Sequence, residues 1–235
     1  MRHVIPIAVI LAGSLTCGPK AEHAQAERRR DAGHVEMDAT PSAAARVWKA
    51  SFLAEGAGQF QAALDALGEL PASQRDGYLA SFRRGWLLYR LSRHAESVAA
   101  YKAAAMAEPA SIEARLGLLL PLMALTRWND VAALAEDVLK RDPENYLALS
   151  RLAFAKFSSE HFPEAEVLYR RLVQQYPSDV EMRAALGWVV FRMGKQKEAV
   201  ALFKQVLELS AEHASATAGL RAATAPRMKV KYSSR

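Results

Sequence analysis

Three prolines, Pro109, Pro143 and Pro177, recur every 34 residues and set the frame for the chain. A fixed period of that length marks a chain built from like supersecondary units. Each is too small to bury its own apolar face and gains stability only against its neighbours. The register extends beyond the prolines. Gly85 and Gly187 lie three periods apart, Tyr101, Tyr169 and Phe203 share one slot, and Ala63, Ala165 and Ala199 share another. The frame divides the chain into 44–77, 78–111, 112–145, 146–179 and 180–213 with no insertion or deletion.

Within a unit the apolar residues follow helical spacing. In the last unit Leu186, Gly187 and Val190 form the packing face of a first helix. Gly194-Lys195 marks a turn, and Ala199, Phe203 and Val206 form the face of a second helix. Alanine is abundant, glycine occurs only 12 times in 235 residues, and runs of Val, Ile and Thr are scarce after residue 40. Helix formers therefore dominate, and an all-α fold follows. With 51% of the chain hydrophobic, wholesale disorder is excluded. Small residues at Ser51, Gly85, Ala153 and Gly187 let the second helix approach, Ala63, Ala165 and Ala199 receive it, and the proline ends it.

These residues resemble the tetratricopeptide repeat, a helix-turn-helix of 34 residues. The resemblance covers 44–213 and implies an α-solenoid, a right-handed superhelix of about five units. Three departures stand out. Leu119 and Val131 replace the small residues in 112–145, Ala211 replaces the proline of 180–213, and Pro71 comes early in 44–77. A repeat stack needs a polar closing element, so 214–225 is expected to form a capping helix ended by Pro226.

The resemblance also implies where a partner sits, because the first helix of each unit lines the concave face. The ninth residues of the units are Phe52, Trp86, Leu120, Phe154 and Trp188, and the twelfth are Glu55, Tyr89, Met123, Phe157 and Phe191. The fifth residues Trp48, Phe82 and Leu116 lengthen this aromatic and apolar stripe. A contiguous exposed patch of that kind marks an interaction site, where an aromatic anchor contributes roughly 2 kcal/mol or more. Such a groove suits an extended or helical apolar segment. The competing reading is internal: aromatic residues at helical spacing also serve as core, and the tether or tail can fill a groove. Arg90 and Arg192 occupy the next slot and are placed to clamp a carboxylate, as in family members that hold a partner's acidic C-terminus.

Residues Val4 to Leu15 are almost wholly apolar, follow Arg2, and are too few for a permanent membrane span. Region 1–26 thus reads as an export signal with two cleavage readings. Leu11-Ala12-Gly13-Ser14-Leu15-Thr16-Cys17 resembles a bacterial lipoprotein signal, which implies cleavage before an acylated Cys17; Ser14 and Thr16 depart from the pattern. Ala24-Gln25-Ala26 instead offers ordinary cleavage after Ala26. Residues 27–43 read as a flexible tether, and 226–235 as a basic tail carrying Arg227, Lys229, Lys231 and Arg235.

The net charge of +6 comes from basic residues interspersed with acidic ones, the pattern of solvated helix faces and not of a nucleic-acid stripe. The six histidines are scattered without metal-ligand spacing. No glycine-rich phosphate loop, nucleophile elbow or paired nucleophile and base can be read. The expectation is a non-catalytic scaffold or adaptor of the bacterial cell envelope, exported, periplasmic and held to the membrane by lipid at Cys17. It would bind a protein or peptide partner and need no metal, cofactor, small-molecule substrate or nucleic acid. A chaperone-like holder of exported apolar segments and a self-associating structural protein are the alternatives.

Overall fold

The turns carry the 34-residue period in the backbone itself. In a computed structural model that describes residues 41–225, positive φ occurs at Gly58 (75°), Ser92 (59°), Thr126 (54°), Glu160 (63°) and Gly194 (79°). Each residue sits 34 positions after the last, in the turn between the two helices of a unit. The residue after it donates its N–H to the carbonyl five positions back, as in Arg93 to Leu88 and Lys195 to Val190, both 2.9 Å. This closes the first helix with a left-handed residue. Glycine adopts that backbone freely, whereas a side chain crowds the next carbonyl, and β-branched Thr126 suffers most.

The helices are α1 (Ala43–Gly56), α2 (Phe60–Ala66), α3 (Ala72–Arg75), α4 (Tyr78–Arg90), α5 (His94–Ala107), α6 (Ile112–Ala124), α7 (Trp128–Arg141), α8 (Tyr146–Ser158), α9 (Phe162–Gln175), α10 (Val180–Arg192), α11 (Gln196–Leu209) and α12 (Ala214–Thr224). No strand occurs among the described residues. Consecutive helices pack as hairpins, and α4, α6 and α8 adjoin one another as the first helices of successive units. Ser42, Ser111, Asn145, Asp179 and His213 cap α1, α6, α8, α10 and α12, each accepting the N–H three residues on. Such caps contribute about 1 kcal/mol apiece. The export signal with Cys17, the tether up to residue 40 and the tail 226–235 lie outside the described residues. No described helix is long and apolar enough to cross a membrane.

Core volume is conserved within a unit even where individual slots change. Tyr101, Tyr169 and Phe203 fill one slot opposite small neighbours, and a Cβ added at Gly85 or Gly187 would stand 2.7 Å from Tyr101 or 2.6 Å from Phe203. Gly117 and Gly219 press on the other sides of the same two rings. In 112–145 the ring slot holds Ala135, and the bulk moves to Leu119 and Val131, all three essentially inaccessible. That trade keeps the packing density that close-packed interiors require. It accounts for the departure seen in the sequence.

The first unit is irregular. Its second helix α2 stops at Ala66, a 3₁₀ turn spans Leu67–Glu69, and Leu70 is extended before Pro71. A residue before proline is pushed out of the helical region. Leu67 and Leu70 still reach the core, at 1% and 0% exposure. At the other end, α12 buries Ala216, Gly219 and Ala223 while Thr217, Arg221 and Thr224 face water.

Candidate functional site

All of the sequence-selected groove residues lie on first helices: α1, α4, α6, α8 and α10. Trp48, Phe82, Trp86, Tyr89, Leu116, Leu120, Met123, Phe154, Phe157, Trp188 and Phe191 are half-buried, Arg90 and Arg192 exposed, and Phe52 is 57% exposed. None is sealed in the core, yet most are engaged with protein on one side.

At the junction of α1 and α4 the engagement is polar. Arg83, buried and unremarked in the sequence, donates from Nε to Ser51 Oγ and from Nη1 to Glu55 Oε2, both at 2.8 Å. Its guanidinium lies 3.7 Å from the centroid of the exposed Phe52 ring. Trp86 Nε1 donates to the other Glu55 oxygen at 2.5 Å. Both oxygens of Glu55 are thereby engaged, one by a buried cation and one by an indole.

Other rings turn inward. Phe82 meets Tyr101 edge-on at 5.4 Å, and Trp188 meets Phe203 at 5.5 Å while its Nε1 donates to Ser215 Oγ on α12 at 3.0 Å. These two therefore run from the surface to the core. Leucine and methionine at 116, 120 and 123 sit half-buried between the two ends of the stripe.

A column that the sequence analysis missed opens the second helices: Phe60, His94, Trp128 and Phe162 are the first residues of α2, α5, α7 and α9, one period apart. The column was legible as an aromatic recurrence in the same register. Its members meet the first-helix residues, as in Trp128 with Phe154 at 5.5 Å, Tyr89 with His94 at 5.5 Å, and Phe157 with Phe162 at 5.8 Å. Arg90 lies 4.1 Å over Phe60, and Arg192 lies 4.7 Å over Phe162. Both arginines thus belong to a rim built by the turns.

The shifted titrations hold groups in structural protonation states. Burial raises the phenols of Tyr101, Tyr169 and Tyr146; the Asp179 carboxylate, which accepts the Tyr146 hydroxyl at 2.6 Å, raises Tyr146 further. For Glu166, burial opposes ionisation, but hydrogen bonds from Lys195 and Arg170 outweigh it and lower its pKa. Lys195 Nζ reaches it at 2.6 Å, joining α9 to the turn that leads into α11.

Family models described as tetratricopeptide repeat match residues 53–112, 122–189 and 180–213, which together take in more than half of the chain. The chain belongs to the tetratricopeptide repeat family. It is 28% identical over 95 residues to a TPR repeat-containing protein of Pseudomonas aeruginosa, a match that takes in 39% of this chain and spans 16% of that relative's length. Among solved structures it is similar in fold to MamA from Desulfovibrio magneticus RS-1, with a TM-score of 0.69 at 18% identity over 74% of this chain and 98% of that one. It is also similar to YrrB, described as a TPR protein with an unusual peptide-binding site, with a TM-score of 0.64 at 12% identity over 74% and 90%. At those identities the likeness is one of fold. Tetratricopeptide repeats are typically scaffolds for protein–protein interaction and are generally non-catalytic.

Proposed function

We propose that this chain is a non-catalytic adaptor whose first helices receive a segment of a partner protein. One observation carries the reading: the core is filled by other slots, yet a run of aromatic and apolar residues from Trp48 to Phe191 stays partly accessible along successive first helices. Apolar surface that a hairpin does not need for its own packing is surface available to a partner. Phe52 and Leu120 are the residues on which a partner segment would gain most, whereas Met123, like Phe82 and Trp188, also packs against a buried cluster. The same proposal puts this adaptor at the bacterial envelope, with lipid at Cys17 as its anchor, a reading supported by the apolar run Val4 to Leu15 ahead of that cysteine.

The test compares the native chain with a Phe52→Ala/Leu120→Ala variant in capture from detergent-solubilised envelope, read by mass spectrometry, with circular dichroism as the folding control. A single protein retained by the native chain and lost from a folded variant supports the adaptor. The same set retained by both would sink the groove. Radiolabelled palmitate incorporated by the native chain and not by Cys17→Ser supports the anchor, and equal labelling removes it.

A further inference from the structure

The two ends of the stack are finished differently. At the C-terminal end α12 turns Ala216, Gly219 and Ala223 onto the last unit and Thr217 and Arg221 to water. At the N-terminal end α1 has no element before it among the described residues, and Leu53 is 64% exposed. Its counterparts at one-period intervals, Leu87, Pro121, Ala155, Val189 and Ala223, are all buried, because each of those helices lies against the unit before it. An apolar side chain in a slot that the rest of the stack seals marks a packing face without its cover.

Every later first helix, and α12, is met by the second helix directly before it in the chain. The stretch directly before α1 is 27–40. It has the 14-residue length of α5, α7, α9 and α11, and it ends in register, since Pro41 lies two periods before Pro109. Its slots divide as a cover requires. Met37 shares the slot of Leu139, Val173 and Leu207; Leu139 belongs to 112–145 yet packs on a cluster whose buried members all come from residue 149 onward, so that slot faces the next unit. Tyr101 and Phe203 meet the next helix at Gly117 and Gly219, a large residue against a small one. Before α1 the same two slots hold Gly33 and Lys49, with the sizes exchanged. The stripe that a second helix turns to its own first helix, Ala199, Phe203 and Val206 in the last unit, holds Arg29, Gly33 and Glu36. Charge there suits a stretch preceded by an export signal and not by a first helix, just as Arg221 suits α12 in the slot of Gly187. Residues 31–40 also carry Asp31, Glu36 and Asp38 with no lysine or arginine, while α1 ahead of Glu55 carries Arg46 and Lys49 with no acid.

We propose that residues 27–40 pack along α1 in the place of a preceding second helix and cover Leu53, so that the chain closes its own first unit. Cleavage before Cys17 and cleavage after Ala26 both leave this stretch in the mature protein. With lipid at Cys17, a reading proposed above on which the cover does not depend, ten residues separate Cys17 from Glu27. They span at most about 35 Å, so the stack stands close to the membrane.

The test measures urea midpoints by circular dichroism for the full chain, Leu53→Asn, Met37→Asn and the double variant, each at two protein concentrations. Each single substitution is expected to lower the midpoint by about 0.5 M or more, and the double variant to lose less than the sum, because both side chains serve one contact. Amides of 31–40 should exchange at least about tenfold more slowly than in an unstructured chain, and Met37→Asn should remove that protection. The exchange measurement on Met37→Asn decides the matter even where Leu53→Asn fails to fold. A silent Met37→Asn, additive losses or unprotected amides would overturn the cover. A loss at Leu53 that depends on protein concentration would overturn it too and assign the face of α1 to a second copy of the chain. None of these outcomes touches the groove or the anchor.

Discussion

The Phe60–Trp86–Arg90 ledge and the Phe162–Trp188–Arg192 ledge are built from matching residues three periods apart, and they are wired differently. In the first, the indole donates to the Glu55 carboxylate and the arginine has no internal carboxylate among the described residues; in the second, the indole donates to the Ser215 hydroxyl and the arginine pairs with Glu160. A repeat fixes where a side chain stands, and the neighbouring unit decides what it meets. Equivalent slots are therefore equivalent in packing and can differ in charge.

The packing half of the comparison is open to the largest test. Tyr101→Ala and Phe203→Ala are each expected to lower the unfolding free energy by about 3–5 kcal/mol. Both rings are wedged between two glycines, so the losses should match to within about 1 kcal/mol in urea titrations followed by circular dichroism. A large inequality would show that the two centres are not alike.

The polar half predicts an inequality. Trp86→Phe removes the donor from a carboxylate and should cost about 2 kcal/mol, whereas Trp188→Phe removes it from a hydroxyl and should cost about 1 kcal/mol. The same titrations read the difference, and equal losses would break the distinction between the ledges.

The turns give a smaller effect. Thr126→Gly relieves a left-handed β-branched residue and should gain about 1 kcal/mol. Glu160→Gly relieves a similar backbone but loses an exposed ion pair worth up to about 1 kcal/mol, so its net change should fall within about 0.5 kcal/mol of zero. A clear loss for Glu160→Gly would assign more to the Arg192 pair than an exposed contact ordinarily provides.

Acid should distinguish the two ends most weakly. Glu166, bound to Lys195 and Arg170, has Leu64 as its counterpart three units earlier. Its folded pKa is lowered, so its contribution is present above the ordinary carboxylate value of about 4 and is lost as pH falls through the folded value. The urea midpoint of Glu166→Gln should therefore change less on acidification than that of the native chain. An identical pH dependence would remove Glu166 from the account.

The architecture was largely legible in the sequence. The slots of Tyr101, Tyr169 and Phe203, of Gly85 and Gly187, and of the three prolines recur because every hairpin solves the same packing problem with the same spacing. The candidate site was legible only in part. The period assigned Trp86, Trp188, Arg90 and Arg192 to first helices, but the column of Phe60, His94, Trp128 and Phe162 beneath them was missed, as were buried Arg83 and the paired Glu160.

What the sequence determined by itself was the period, the unit count and the all-helical class, because intra-hairpin contacts repeat with fixed local spacing and leave a periodic trace. What only the tertiary structure decided was the pairing across unit boundaries: Glu55 with Arg83 and Trp86, 28 and 31 residues on, and Glu160 with Arg192, 32 residues on. Such a bond depends on two slots being filled in complementary fashion at once, and a periodic pattern specifies each slot without specifying the pair. The same holds for 112–145, where Leu119 and Val131 look like departures until Ala135 is seen to yield the volume they occupy.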